Sequence, residues 1–218
     1  MTEEEWRTCE DPRLMLRFLA GNATDRKVRL FACAGCRRVW KSLDRKPIQQ
    51  AVEAAEQFAD GAITTDELKQ ALNQAARSVL KEGKRNFRKL TTDPDYAVKA
   101  YKRTFGMSVA LPEGLPTFLI DAPPPDEETF RTLLDPALLR DVFGNPFRPV
   151  SIEPRWLTSD VVALARGIYD DRAFDRLPIL ADALTDAGCE DADLLAHCRS
   201  DGSHARGCWV VDLILGKN

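Results

Sequence analysis

Apolar residues recur every three or four positions along much of this chain, which is the period of an amphipathic helix. The clearest case runs from Thr24 to Leu43. Its basic residues gather on the side opposite the apolar face, so the pattern predicts a helix with a buried stripe and a charged back. The predicted stripe consists of Val28, Ala32, Cys33, Cys36, Val39, Trp40 and Leu43.

Capping residues mark where other helices begin. Asp11-Pro12 is typical of an N-cap followed by the first helical residue, and it predicts a short helix that stops before Gly21. Thr64 and Glu67 form a capping-box pattern at the start of a helix over 65–81. Asp175 is predicted to cap a helix that has Pro178 in its first turn. Further helices are predicted over 48–60, 96–105, 127–142, 160–169, 191–199 and 206–215.

Together these elements predict an all-α fold, a bundle-like array of many helices. A short strand is expected, if anywhere, over 147–152. Prolines and glycine crowd residues 111–126, which cannot sustain a helix and favour extended chain. The sequence thus predicts an N-terminal helical subdomain over 1–110, a connector over 111–126 and a C-terminal helical subdomain over 127–218.

Charge divides along the same boundary. Residues 1–110 carry 21 Lys and Arg against 15 Asp and Glu, whereas residues 111–218 carry 10 against 19, within a formal net charge of −3. A basic half allows an anionic partner, and an acidic half allows docking between the two. No stretch approaches the roughly 18 apolar residues of a membrane span, and residues 1–6 are acidic, unlike a secretory signal. We therefore expect a cytoplasmic protein that does not bind membranes. Its six cysteines are expected to be thiols or metal ligands rather than to form disulfides.

Both histidines and three of the six cysteines lie between residues 189 and 208. Cys189, His197, His204 and Cys208 offer four donors of the kind that zinc takes in a tetrahedral site, and the last two are spaced like one helical turn. The alternative is a core of buried thiols and histidines without a metal, since buried cysteine behaves as a small hydrophobe. Cys33 and Cys36 are predicted to pack in the same way on their apolar stripe.

Few residues in the sequence match a catalytic motif. The Cys/His pairs available would join His197 or His204 to Cys198 or Cys208. The sequence contains neither a glycine-rich phosphate loop nor a Gly-x-Ser-x-Gly elbow. A Cys/His-dependent hydrolase is therefore kept only as the second alternative.

Two basic clusters are candidates for contact with the phosphates of DNA or RNA, or with another anion. The first lies on the back of the helix over 24–43 and the second follows the helix over 65–81. Solvated helix faces, or a surface for the acidic half, would explain the same residues. The candidate residues are Arg26, Lys27, Arg37, Arg38, Lys41, Lys84, Arg85, Arg88 and Lys89.

Several motifs resemble those of a family of uncharacterised bacterial proteins that recur in many related copies. The likeness rests on Glu5-Trp6 and Asp11-Pro12, on the run from Phe143 to Pro149 and, most specifically, on the ending His204-x-Arg206-Gly207-Cys208-Trp209. The resemblance leaves about 84–128 unmatched. It implies a shared helical fold and transfers no catalytic residues.

The leading hypothesis is a non-enzymatic helical adaptor or accessory module that binds a protein partner within a larger bacterial complex. It needs no cofactor, and Trp6, beside an acidic end, is its expected exposed anchor. The alternative is a DNA- or RNA-binding accessory factor stabilised by zinc.

Overall fold

The computed structural model describes residues 1–20, 22–43, 46–80 and 134–217. These residues form helices joined by turns, and no strand occurs among them, including over 147–152. The predicted all-α class is therefore confirmed. The predicted helix over 96–105, the connector over 111–126 and the cluster of Lys84, Arg85, Arg88 and Lys89 lie outside the described residues.

The chain divides into two compact units. The first, here called the central unit, covers Cys9–Pro136, and the second, called the terminal unit, combines Met1–Thr8 with Ala137–Asn218. Residues 1–8 thus belong with the C-terminal part of the chain and not with the predicted N-terminal subdomain over 1–110.

The described helices of the central unit are α2 (Pro12–Leu19), α3 (Asp25–Arg38), α4 (Lys46–Ala59) and α5 (Thr65–Leu80). Helix α4 packs against both α3 and α5. Cys33 and Cys36 are buried there with Val52, Ala55 and Leu68, and they are packing residues as predicted. Burial raises the pKa of the Cys36 thiol to about 12, so it is not a reactive thiolate.

Helix boundaries follow the capping residues closely in this unit. The side chain of Asp11 caps α2, and Thr64 and Glu67 form the predicted reciprocal hydrogen bonds at the start of α5. Helix α3 is capped by Thr24 but ends at Arg38, and a 3₁₀ turn at Trp40–Ser42 follows. The predicted extension of one α-helix to Leu43 is therefore wrong.

The terminal unit contains α1 (Glu3–Thr8), α6 (Pro136–Phe143, from Ala137 onward), α7 (Ser159–Asp171), α8 (Leu177–Asp186), α9 (Ala192–Cys198) and α10 (Trp209–Leu215). Helix α7 packs against α8 and α10, and α9 packs against α8 and α10. Thr158 caps α7, but the prediction that Asp175 caps α8 is wrong, because a 3₁₀ turn at Phe174–Arg176 leads into that helix.

Helix α1 escaped the sequence analysis, although its capping signal is present in the sequence. The Thr2 backbone N–H donates to the Glu5 carboxylate at 2.7 Å, and the Glu5 N–H donates to the Thr2 hydroxyl at 3.2 Å. This is a capping box of the Thr-x-x-Glu kind. It begins a short helix whose Trp6 side chain is only 1% exposed. The expectation that Trp6 is exposed is therefore wrong.

Among the described helices, none combines the length and the apolar character that crossing a membrane requires.

Candidate metal centre

Four side chains from four parts of the terminal unit converge on one point. Asp141 comes from α6, His197 from α9, His204 from the loop after α9, and Cys208 from the residue that precedes α10. One potential ligand atom from each residue lies within 4.8 Å of the others. We call these residues the four-residue cluster. Carboxylate oxygen, imidazole nitrogen and thiolate sulfur are the three kinds of ligand that zinc takes in proteins.

The local sequence explains why each side chain points to this place. Asp191 caps α9 by accepting the Leu194 N–H at 2.8 Å, which sets where the helix starts and so where His197 lies in its last turn. Gly207, at φ +99°, adopts a backbone conformation that side chains disfavour, and the chain turns there before Cys208. Cys208 then lies at the N-cap position of α10.

Asp141 is the residue that joins the two histidines. Its Oδ1 atom lies 2.7 Å from His204 Nδ1 and 3.2 Å from His197 Nε2, and its Oδ2 atom accepts the Ala205 N–H at 2.9 Å. The carboxylate is only 3% exposed. Burial alone would raise the pKa of Asp141, but the hydrogen bonds from the two histidines outweigh it and lower that pKa.

The pKa of His204 shifts in the opposite sense, because the negative charge of Asp141 favours its protonated form. Burial lowers the pKa of His204, whereas its hydrogen bond to Asp141 and the negative charge of that carboxylate raise it, and the raising effects prevail. On the far side of the ring, His204 Nε2 lies 3.3 Å from the Ser200 hydroxyl and 3.4 Å from the Ser200 carbonyl oxygen. Its side chain is only 6% exposed.

Cys208, the N-cap residue of α10, is the fourth member of the cluster. Its Sγ atom lies 3.2 Å from His197 Nε2, and the residue is fully buried. Burial raises the pKa of the Cys208 thiol well above its ordinary value, and the Asp141 carboxylate adds to that effect. The N–H groups of Val210 and Val211 act against it. Without a cation beside it, this sulfur is a neutral thiol rather than a nucleophilic thiolate.

The geometry does not suit a Cys–His–Asp hydrolase. In such a triad the nucleophile and the carboxylate occupy opposite nitrogens of the imidazole ring. Here Asp141 Oδ1 and Cys208 Sγ both lie 3.2 Å from the same nitrogen, His197 Nε2. An oxygen and a sulfur that both lie beside one ring nitrogen suit ligands around a common metal ion. They do not form a proton relay through the imidazole ring.

Ser200, His204 and Asp141 come closer to the order of a serine relay, because the hydroxyl and the carboxylate lie on opposite ring nitrogens of His204. However, a hydroxyl has one proton to donate. The Ser200 hydroxyl donates it to the carbonyl oxygen of His197 at 2.8 Å. Ser200 is therefore an acceptor for His204, not an activated nucleophile.

The structure brings together three of the four predicted ligands, His197, His204 and Cys208. Cys189 is buried in the hydrophobic core of the terminal unit and does not belong to the four-residue cluster. Asp141, which was not among the predicted ligands, takes the fourth place. No local signal marks it, since it lies 56 residues before His197 in an ordinary amphipathic helix.

The first basic cluster is partly occupied by partners within the central unit. Arg26 pairs with Asp60 at 3.2 Å, Arg37 pairs with Glu56 at 2.6 Å, and Arg38 pairs with Asp135. Arg37 also lies over the Trp40 ring, 3.8 Å from its centroid. Three of the five predicted phosphate contacts are thus bound to acidic side chains of their own unit. The geometry favours a fold-stabilising role for these three.

Comparison of the chain with protein-family models, with curated proteins and with solved structures found no match. The resemblance to a multi-copy bacterial family remains a prediction from the sequence.

Proposed function

We propose that this protein is a non-enzymatic helical interaction module whose terminal unit is stabilised by one Zn²⁺ bound to the four-residue cluster. The observation that carries the zinc assignment is the convergence of Asp141, His197, His204 and Cys208 within 4.8 Å. An ideal zinc tetrahedron separates its donor atoms by roughly 3.3–3.5 Å at ordinary bond lengths. The two 3.2 Å separations at His197 are close to that value, and the 2.7 Å separation between Asp141 and His204 would lengthen.

The surroundings of the cluster suit a bound cation. If His204 binds the metal through Nδ1, its ring proton lies on Nε2, where the hydroxyl and carbonyl oxygens of Ser200 accept it. The second carboxylate oxygen of Asp141 keeps its hydrogen bond from Ala205. Such outer hydrogen bonds orient the ligands of zinc sites. The amides of Val210 and Val211 would stabilise a Cys208 thiolate.

A structural role for the metal follows from the number and burial of the ligands. Catalytic zinc sites use three protein ligands and leave a fourth position for water or substrate, whereas structural sites have four. The four side chains supply a full set, and none of Asp141, His204 or Cys208 is more than 6% exposed. The cation would hold α6, α9 and the start of α10 together.

Elemental analysis of the purified chain tests this proposal. We expect one zinc per chain, retained through gel filtration and lost in Cys208→Ala. Cys198→Ala is the matched control, because Cys198 is equally buried in the same core but lies outside the cluster. Cobalt loading should give a sulfur-to-metal charge-transfer band in the wild type and in Cys198→Ala only. Absence of stoichiometric metal after refolding in excess zinc would reject the proposal.

A further inference from the structure

Helix α1 contacts the rest of the terminal unit through its one tryptophan, Trp6. The Trp6 indole N–H donates to the carbonyl oxygen of Gly144 at 3.1 Å, in a buried position. The Arg140 Nε–H donates to the Trp6 carbonyl oxygen, also at 3.1 Å. Both the side chain and the backbone of Trp6 are therefore recognised by residues at the end of α6.

Glu3 is bound by two residues that follow Gly144 in the chain, Asn145 and Arg148. Its Oε1 atom accepts the Asn145 side-chain amide at 2.9 Å and pairs with Arg148 Nε at 2.7 Å. Glu3 and Trp6 are three residues apart, which places them on one face of a helix. The Arg148 pair is largely exposed, so it contributes more to selectivity than to affinity. We call Arg140, Gly144, Asn145 and Arg148 the Trp6 groove.

The groove and its occupant meet by non-covalent contacts between distant parts of the chain. Residues 1–8 belong to the terminal unit, yet Cys9, the next residue, belongs to the central unit, and the groove begins more than 130 residues later. A six-residue helix has too few hydrogen bonds to be stable alone in water. Its conformation in the structure therefore depends on the groove, as in complexes in which a short helix lies in the groove of its receptor.

From these contacts we infer that the Trp6 groove is a recognition site for a short acidic helix with the pattern Glu-x-x-Trp, and that the N-terminal helix of a second copy of this chain can occupy it. Charge complementarity supports this occupant, because Glu3 pairs with Arg148 and the helix carries two further acidic residues, Glu4 and Glu5, while the groove carries a second cation, Arg140. The tethered helix has the advantage of a high effective concentration. Exchange between copies becomes visible when the resident helix is removed or weakened.

The test uses the full-length chain and a fluorescent peptide of residues 1–8 labelled at its carboxyl end. Fluorescence anisotropy is measured with the wild type, with Trp6→Ala and with a variant that lacks residues 2–8. We expect both variants to bind the peptide at least tenfold more tightly than the wild type, whose groove is filled. A peptide with Trp6→Ala should not bind, and a peptide with Glu3→Gln should bind a few-fold more weakly.

Controls keep the outcome clear. Far-UV circular dichroism shows whether each variant is folded, and the peptide should raise the thermal midpoint of both variants but not that of the wild type. Equal binding to all three chains, or no binding and no thermal shift with either variant, would overturn the inference. The zinc content of each chain is measured separately, so failure of the groove and failure of the metal site give different results.

Discussion

Gly144 lies directly against the indole ring of Trp209: a Cβ atom on this glycine would stand 3.1 Å from Cγ of the ring. Gly144 also has φ +66°, a conformation that favours glycine. Glycine is therefore favoured at position 144 both by its positive φ and by the close approach of the Trp209 ring. Trp209 is the residue after Cys208, and its ring centroid lies 5.2 Å from that of His197. The contact therefore connects the end of α6 to the four-residue cluster.

We predict that Gly144→Ala destabilises the terminal unit more than Gly188→Ala does. Gly188 has φ +83° but nothing within 4 Å of a built Cβ, so its substitution costs only backbone strain, about 1–2 kcal/mol. At Gly144 the crowding against Trp209 should add about 1–3 kcal/mol. Urea unfolding of the two variants measures the difference. Equal loss of stability would show that Trp209 moves aside without cost.

Asp141→Asn should lower the affinity for zinc while leaving the fold in place. The amide keeps the shape of the carboxylate but loses the charge that draws both histidines toward the metal position. Loss of an outer partner alone costs 10–100-fold in metal affinity, so we expect a loss of at least about tenfold. Asp212→Asn is the control, since Asp212 is fully buried in α10 of the same unit but lies outside the cluster. A competition titration with a chromogenic chelator gives both affinities, and equal values would contradict the assignment of Asp141.

Most of the described helices were predictable because their signals are local: the predicted caps Asp11 and Thr64 each satisfy a backbone amide two or three residues away. His197, His204 and Cys208 were predictable as candidate ligands because they lie within 12 positions of one another. Asp141 was not, because only the tertiary fold brings its carboxylate within 3.2 Å of His197, which lies 56 residues later in the chain. Trp6 was misjudged for the same reason, since its partner Gly144 is 138 residues away.

In the central unit, Arg37→Ala should cost far more stability than Arg38→Ala. Arg37 makes two hydrogen bonds to Glu56, at 3.1 and 2.6 Å, and Glu56 is only 2% exposed. Removing one partner of a buried ion pair typically costs about 3–5 kcal/mol. Arg38 and Asp135 form a more exposed pair, which is worth about 1 kcal/mol or less. Chemical denaturation distinguishes the two, and similar midpoints for both variants would mean that water reaches Glu56.

Removal of zinc should loosen the N-terminal helix as well as the cluster. The contacts that hold Trp6 adjoin the proposed ligands on both sides: Arg140 precedes Asp141, and Trp209, which lies against Gly144, follows Cys208. Because the metal would fix α6 relative to α10, its removal should loosen the end of α6, where the Trp6 groove begins, and the helix bound there. Trypsin cleavage after Arg7, followed by mass spectrometry, reports this opening, because proteolysis requires a locally unfolded chain.

We expect chelation to raise the cleavage rate at Arg7 severalfold in the wild type and to leave the rate at Arg17 of α2 unchanged. Cys208→Ala should show the fast rate at Arg7 with or without chelator. If the chelator removes zinc and cleavage at Arg7 stays slow, the groove is rigid without the metal, and the N-terminal helix is held by the packing of the terminal unit alone.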